Sequence, residues 1–142
     1  MQHIVIAGPA DSVAYAEMER LCDLLVARNP ETLRVTKIRK HPSAWAGVRA
    51  SIVRSLGLGS ALLPDAQVPF CFHDTGRLIG DLAVFRELAR STFGVVVDLD
   101  APALLRVSRI NTTESEREER QARIHSALRG GKRALLLSAL RL

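Results

Sequence analysis

The residues whose types could do chemistry cluster at one turn and on two isolated thiols. The stretch "IVIAGPADSVAYAEMERL", residues 4–21, reads as a buried strand broken by Gly8-Pro9 and followed at once by a helix. A strand that turns sharply into a helix is a common seat for a nucleophile or a phosphate cradle. A phosphate cradle needs G-x-G-x-x-G, but Gly8 stands alone and Pro9 removes a backbone donor. "GLGS" at 57–60 follows a helix pattern and reads as a cap and turn. Ser12 lies beside Asp11 with no histidine nearby in sequence, which suits a helix N-cap better than a hydrolase nucleophile. Cys22 falls on the apolar face of a helix and Cys71 inside a strand, so each reads as a small buried apolar group. They could pair only if their Cα atoms came within about 7 Å. His3, His41, His73 and His125 show no metal-ligand spacing; His3 and His73 on neighbouring strands would give two ligands and no more. No catalytic, cofactor-binding or metal-binding residue is assigned on these grounds.

The elements around that turn follow from periodicity and punctuation. Residues 2–7 read as a strand and 12–28 as a helix capped by Asp11 or Ser12, with Tyr15, Met18, Cys22 and Leu25 on its apolar face and Asn29-Pro30 as its stop. "LRVTKI", 33–38, alternates like a strand, and 43–56 is a helix with Trp45, Val48, Ile52 and Leu56 on one side. An irregular stretch, "GLGSALLPDAQ", comes next. "VPFCFH", 68–73, and "RLIG", 77–80, form a hairpin about Asp74-Thr75-Gly76. A helix over 81–92 buries Leu82, Phe85, Leu88 and Ala89. Another is expected over 101–109, with Pro102 in its first turn. A further helix over 113–129 is expected to start at a Thr113/Glu116 capping box and to stop at Gly130-Gly131. The leucines of "KRALLLSALRL" suggest a short amphipathic helix or docking tail over 134–142.

Composition narrows the class. With 142 residues, 47% apolar and only 4% aromatic, the chain can bury one aliphatic core and carry an appendage. No run approaches the roughly 20 apolar residues of a membrane span. The N-terminus has no basic n-region, so no signal peptide is expected. Two cysteines make no secreted disulfide framework, which points to a reduced, cytoplasmic setting. The net charge of +5 is spread along the chain without interleaved aromatics or a nucleic-acid motif. Attraction to an acidic protein surface is therefore favoured over nucleic acid. Arg39-Lys40 and the C-terminal arginines read either as solvated faces or as contacts to such a partner.

The order βαβα then ββα, with a hairpin introduced by Val68-Pro69, resembles the glutaredoxin type of thioredoxin-like α/β fold over residues 2–92. In that family "VPFCFHDTGRLIGDLAVFREL", 68–88, would hold a cis proline at Pro69 and begin its last helix after Ile79-Gly80. The family's Cys-Pro-x-Cys motif falls on Ser12, Val13, Ala14 and Tyr15, so both redox cysteines are absent. The acidic pair that helps hold glutathione beyond Gly80 is absent too, although Asp81 remains as a possible cap.

A nearer likeness is carried by "VIAGPADSVAYAEMERLCDLL", "VTKIRKHPSAWAG" and "GRLIGDLAVFREL". These are similar to the N-terminal domain of the putative malate dehydrogenase 1B family, in which a degenerate glutaredoxin-like domain precedes a dehydrogenase-like one. That family has a cysteine where Ser12 stands, and the present chain ends where the dehydrogenase region would begin. The resemblance implies a redox-dead glutaredoxin-like domain over 1–94 with a helical extension over 95–142. It also implies a structural, non-catalytic subunit of a ciliary or flagellar axonemal assembly, such as a radial spoke or a doublet-microtubule-associated complex. The partners would be protein subunits docked through the extension, with no cofactor and no membrane. On this reading, deleting residues 111–142 leaves a folded core that no longer joins its assembly. The competing expectation is a glutathione-binding or transferase-like enzyme using Ser12 or Tyr15.

Overall fold

A computed structural model describes residues 1–57 and 67–129 of the chain. The expected irregular stretch beyond Gly57, the Gly130-Gly131 stop and the tail at 134–142 lie outside the described residues.

The elements run β1 (Gln2–Pro9), α1 (Val13–Arg28), β2 (Leu33–Lys40), α2 (Pro42–Ser55), β3 (Phe70–His73), β4 (Leu78–Gly80), α3 (Leu82–Phe93) and α4 (Ala101–Arg129). The strands form one mixed sheet in the order β2-β1-β3-β4. β1 pairs in parallel with β2, as the α1 crossover requires, and antiparallel with β3, which pairs antiparallel with β4. β1 is thus central, and its alternation divides the core between the two faces. Ile4 and Ile6 join Tyr15, Met18, Leu21, Cys22, Leu25, Cys71, Phe85 and Ala89 on the α1/α3 face. Val5 and Ala7 join Trp45, Phe70 and Phe72 on the α2 face, where Val48, Ile52 and Leu56 pack as their spacing predicted. A strand buried on both sides reads as an unbroken apolar run, which is what residues 4–7 show.

Three expectations change. The strand expected from residue 68 starts at Phe70, because the ladder with β1 ends at the Ala7↔Phe70 pair and Pro69 has no N–H to extend it. No described peptide bond is cis, so Pro69 follows a trans bond. Trans is the lower-energy X–Pro isomer by about 0.5–1 kcal/mol, and Pro69 reaches a fully buried position with it. Finally, the helices expected at 101–109 and 113–129 are one continuous helix, α4. The capping box fails because its members bond elsewhere. Thr113 Oγ1 donates back to the Arg109 carbonyl at 3.1 Å, and the Glu116 carboxylate lies 3.7 Å from His41 Nε2. Thr112, Ser115 and Ser108 likewise turn their hydroxyls onto carbonyls three or four residues earlier. These polar residues satisfy themselves within a helix rather than starting one.

Asp100 caps α4, accepting from the Ala103 N–H at 2.9 Å. The helix crosses α1 and the end of β2. At about 1.5 Å per residue its 29 residues span about 44 Å, against about 24 Å for the sixteen residues of α1. No helix among the described residues is long and apolar enough to cross a membrane.

Candidate functional site

The turn that opened the sequence reading is built as a helix cap. Ser12 has extended backbone and its Oγ accepts from the Tyr15 N–H at 3.0 Å. Its oxygen therefore satisfies one of the unpaired donors of the first turn of α1. Gly8 lies close behind. A Cβ there would stand 2.7 Å from Tyr15 Cδ2 and 2.8 Å from Pro69 Cβ, so only glycine lets the β1 backbone approach both rings. Gly8, Tyr15 and Pro69 thus form one close-packed corner, with the Ser12 cap beside it.

Within that corner Tyr15 faces inward. It is fully buried, and its hydroxyl has no hydrogen-bond partner among the described residues. Burial pushes the phenol pKa well up, the Glu19 carboxylate adds to that, and Arg39 opposes it. A phenol held neutral inside the fold has no face toward a dissolved substrate.

The thiols are equally enclosed. Cys22 and Cys71 are both free and buried in the α1/α3 core. Burial raises the Cys22 thiol strongly and pushes the Cys71 thiol up to about 12, against a smaller lowering by a backbone hydrogen bond at Gly80. Neither carries the thiolate that exchange chemistry requires. His3 and His73 do sit on adjacent strands, one residue out of register. His3 is bound to Thr36 Oγ1 at 2.6 Å and lies 3.5 Å from Asp74. Among the described residues no three His, Cys, Asp or Glu side chains gather closely enough to hold a metal ion.

A polar clamp stands over this corner, and the sequence did not announce it. Arg39, near the end of β2, is only 17% exposed at its side chain. Its Nη1 donates to Asn111 Oδ1 and to Glu114 Oε2, both at 2.9 Å, and its Nη2 donates to Glu118 Oε1 at 2.6 Å. Asn111 Nδ2 then donates to Glu19 Oε1 on α1 at 2.7 Å. Burial works against the Arg39 charge, but the bonds and charges of Glu114 and Glu118 outweigh it and the pKa is raised. Next to the clamp, Ser43 donates to Glu119 at 3.3 Å, while His41 Nδ1 accepts the Ser43 N–H and caps α2. Arg39 was read as a solvated or partner-facing cation; its acidic partners are instead Glu114 and Glu118 of the same chain. The available signal was the i, i+4 spacing of those two glutamates with Asn111 three residues before, one helix face able to grip a single guanidinium.

The clamp fixes how α4 sits. Its buried residues are Leu104, Ser108, Asn111 and Ser115, three of them polar. Its apolar residues Ile110, Ile124 and Leu128 face solvent instead. The exposed Ser43 Oγ lies 2.8 Å from His41 Nδ1, but that nitrogen also accepts the Ser43 N–H as the α2 cap and the hydroxyl donates to Glu119. What the arrangement offers is a rigid α/β body carrying a helix whose docked face is polar and whose free face is partly apolar.

A family model described as the Putative malate dehydrogenase 1B N-terminal domain matches residues 3–126. No curated protein matches the chain.

Proposed function

We propose that this chain, which belongs to the Putative malate dehydrogenase 1B N-terminal domain family, acts as a non-catalytic interaction subunit built on a glutaredoxin-type, thioredoxin-like framework. The strand order β2-β1-β3-β4, with α1 and α3 on one face and α2 on the other, supports the framework. One observation carries the loss of catalysis. Ser12 occupies the helix start where the glutaredoxin framework keeps its thiol, and its oxygen is engaged as a cap. The chain's two cysteines are both sealed in the core. A hydroxyl at that place does not exchange disulfides.

The interaction role rests on α4. The helix is clamped to the body through its middle turns, and its later turns carry exposed Ile124 and Leu128. Partner subunits would bind there, and the resemblance noted from sequence makes an axonemal assembly of cilia or flagella the setting to test first. The decisive experiment incubates the purified, reduced chain with glutathione and a glutathione mixed disulfide. No saturable glutathione binding and no turnover are expected. Measurable exchange would overturn the proposal.

A further inference from the structure

The charges of α4 are sorted between its two sides. All four glutamates of its middle turns bond to the body: Glu114 and Glu118 to Arg39, Glu116 to His41, and Glu119 to Ser43. None of the arginines of α4 is in an ion pair among the described residues. Arg106, Ile110, Arg117, Ile124 and Leu128 recur at spacings of four or seven residues and form a single stripe, with Arg120 at its margin. That stripe lies opposite the buried Leu104, Ser108, Asn111 and Ser115, and every member of it is exposed. Ile110 is 57% exposed, Ile124 44% and Leu128 42%. The body has taken up the helix's negative charge and left a basic, partly apolar seam outward.

We propose that this seam docks an acidic amphipathic helix of a partner protein, with apolar side chains against Ile110, Ile124 and Leu128 and carboxylates against Arg117 and Arg120. The proposal rests on the interaction reading above and adds the chemistry of the partner. Charge complementarity selects that occupant. A second copy of the chain is disfavoured, because pairing two such seams in either direction brings the arginines of one close to those of the other. A lipid surface is disfavoured, because Arg117 and Gln121 interrupt the apolar positions that an interfacial helix would need to be continuous.

The test uses the full chain and a synthetic helical peptide about three heptads long, with leucine at its a and d positions and glutamate on its flanks. Fluorescence anisotropy should show saturable binding in roughly the micromolar range that weakens as salt rises. The double substitution Arg117→Glu/Arg120→Glu, and separately Ile124→Asp, should each weaken it at least about tenfold with unchanged circular dichroism. Arg34→Glu, a single charge reversal on β2, should leave it intact. Absence of saturable binding overturns the proposal, and so does equal sensitivity to Arg34→Glu. Tighter binding to vesicles containing phosphatidylserine through the same arginines also overturns it, in favour of a membrane. Self-association abolished by Ile124→Asp overturns it in favour of a second copy. Disulfide exchange by the protein would refute the non-catalytic reading while leaving these binding results to stand or fall by themselves.

Discussion

Arg39 Nη1 donates to Asn111 Oδ1 at 2.9 Å, joining the end of β2 to the middle of α4 across 72 positions of sequence. Through the other face of the same amide, Asn111 donates to Glu19, so one side chain ties α4 to both the sheet and α1. The interface around this pair buries little carbon. Its strength therefore lies in geometry and charge rather than in apolar area, and that shapes how it fails.

Removing the acceptors should cost more than removing the cation. The triple substitution Asn111→Ala/Glu114→Ala/Glu118→Ala takes away all three acceptors while leaving α4 over Arg39, whose guanidinium is then mostly buried with no partner. An orphaned charge of this kind costs on the order of 3 kcal/mol, whereas replacing both sides of the pair is close to neutral. Urea unfolding should show the triple variant markedly less stable than the parent, and Arg39→Leu should restore most of the loss in that variant while destabilising the parent. Equal effects of Arg39→Leu in both backgrounds would mean that the clamp does not couple the two elements.

At the other side of the corner the contacts are tight rather than polar. A methyl at position 8 would stand 2.7 Å from Tyr15 Cδ2 and 2.8 Å from Pro69 Cβ, and both rings are fully buried and backed by core. Gly8→Ala should lower stability by about 1–3 kcal/mol through overpacking. By contrast Gly47→Ala, in the middle of α2 with open space around it, should stabilise slightly because alanine suits a helix better. Paired thermal melts of the two variants check both signs.

Much of this corner was legible in the sequence because short-range physics dictates it. The apolar run of residues 4–7, the Ser12 cap and the helical spacing of Tyr15, Met18, Cys22 and Leu25 each needed only neighbours in the chain. The continuity of α4 was not legible. Asn111, Thr112 and Thr113 carry the residue types of a helix start, and what keeps them helical is back-bonding to earlier carbonyls together with the grip of Arg39 on Asn111. That grip spans most of the chain, and no local pattern encodes a bond of such separation. The isomer of the Val68–Pro69 bond was likewise a matter of context. The resemblance implied cis, while the packing around Gly8 and Tyr15 is met with trans.

The enclosed thiols predict how stability changes with alkali. Cys22 and Cys71 have folded-state pKa values raised by burial, the second to about 12, above an ordinary value of 9.0. Tyr15 is shifted in the same direction. For groups raised on folding, the stabilising contribution is whole below the unfolded pKa and is lost as pH climbs toward the folded one. Unfolding free energies from urea titration should therefore hold steady to about pH 8.5 and then fall, with a slope approaching about 1.4 kcal/mol per pH unit for each thiol fully ionised only in the unfolded chain. The double variant Cys22→Ala/Cys71→Ala should start lower, because two core groups shrink, and should show a shallower slope between roughly pH 9 and 11. An unchanged slope would mean that neither thiol is held protonated by the fold.

The Ser12 cap predicts what a single atom would restore. Ser12 Oγ receives the Tyr15 N–H and sits at the positive end of the sixteen-residue helix α1. In Ser12→Cys, sulfur takes that place, and the same N–H and helix terminus favour its thiolate. The introduced thiol should titrate below the ordinary value of about 8.5, near 7 or lower. Reaction with a chromogenic disulfide at neutral pH should then reveal one fast thiol per chain, whereas the parent protein, with both of its cysteines buried, reacts only as fast as it opens. Turnover of a glutathione mixed disulfide should stay slow in the variant, because the acidic pair that would hold glutathione beyond Gly80 is absent. A thiol at position 12 that titrates at 8.5 or above would show that this helix terminus no longer activates sulfur, and that the framework has lost more than its cysteines.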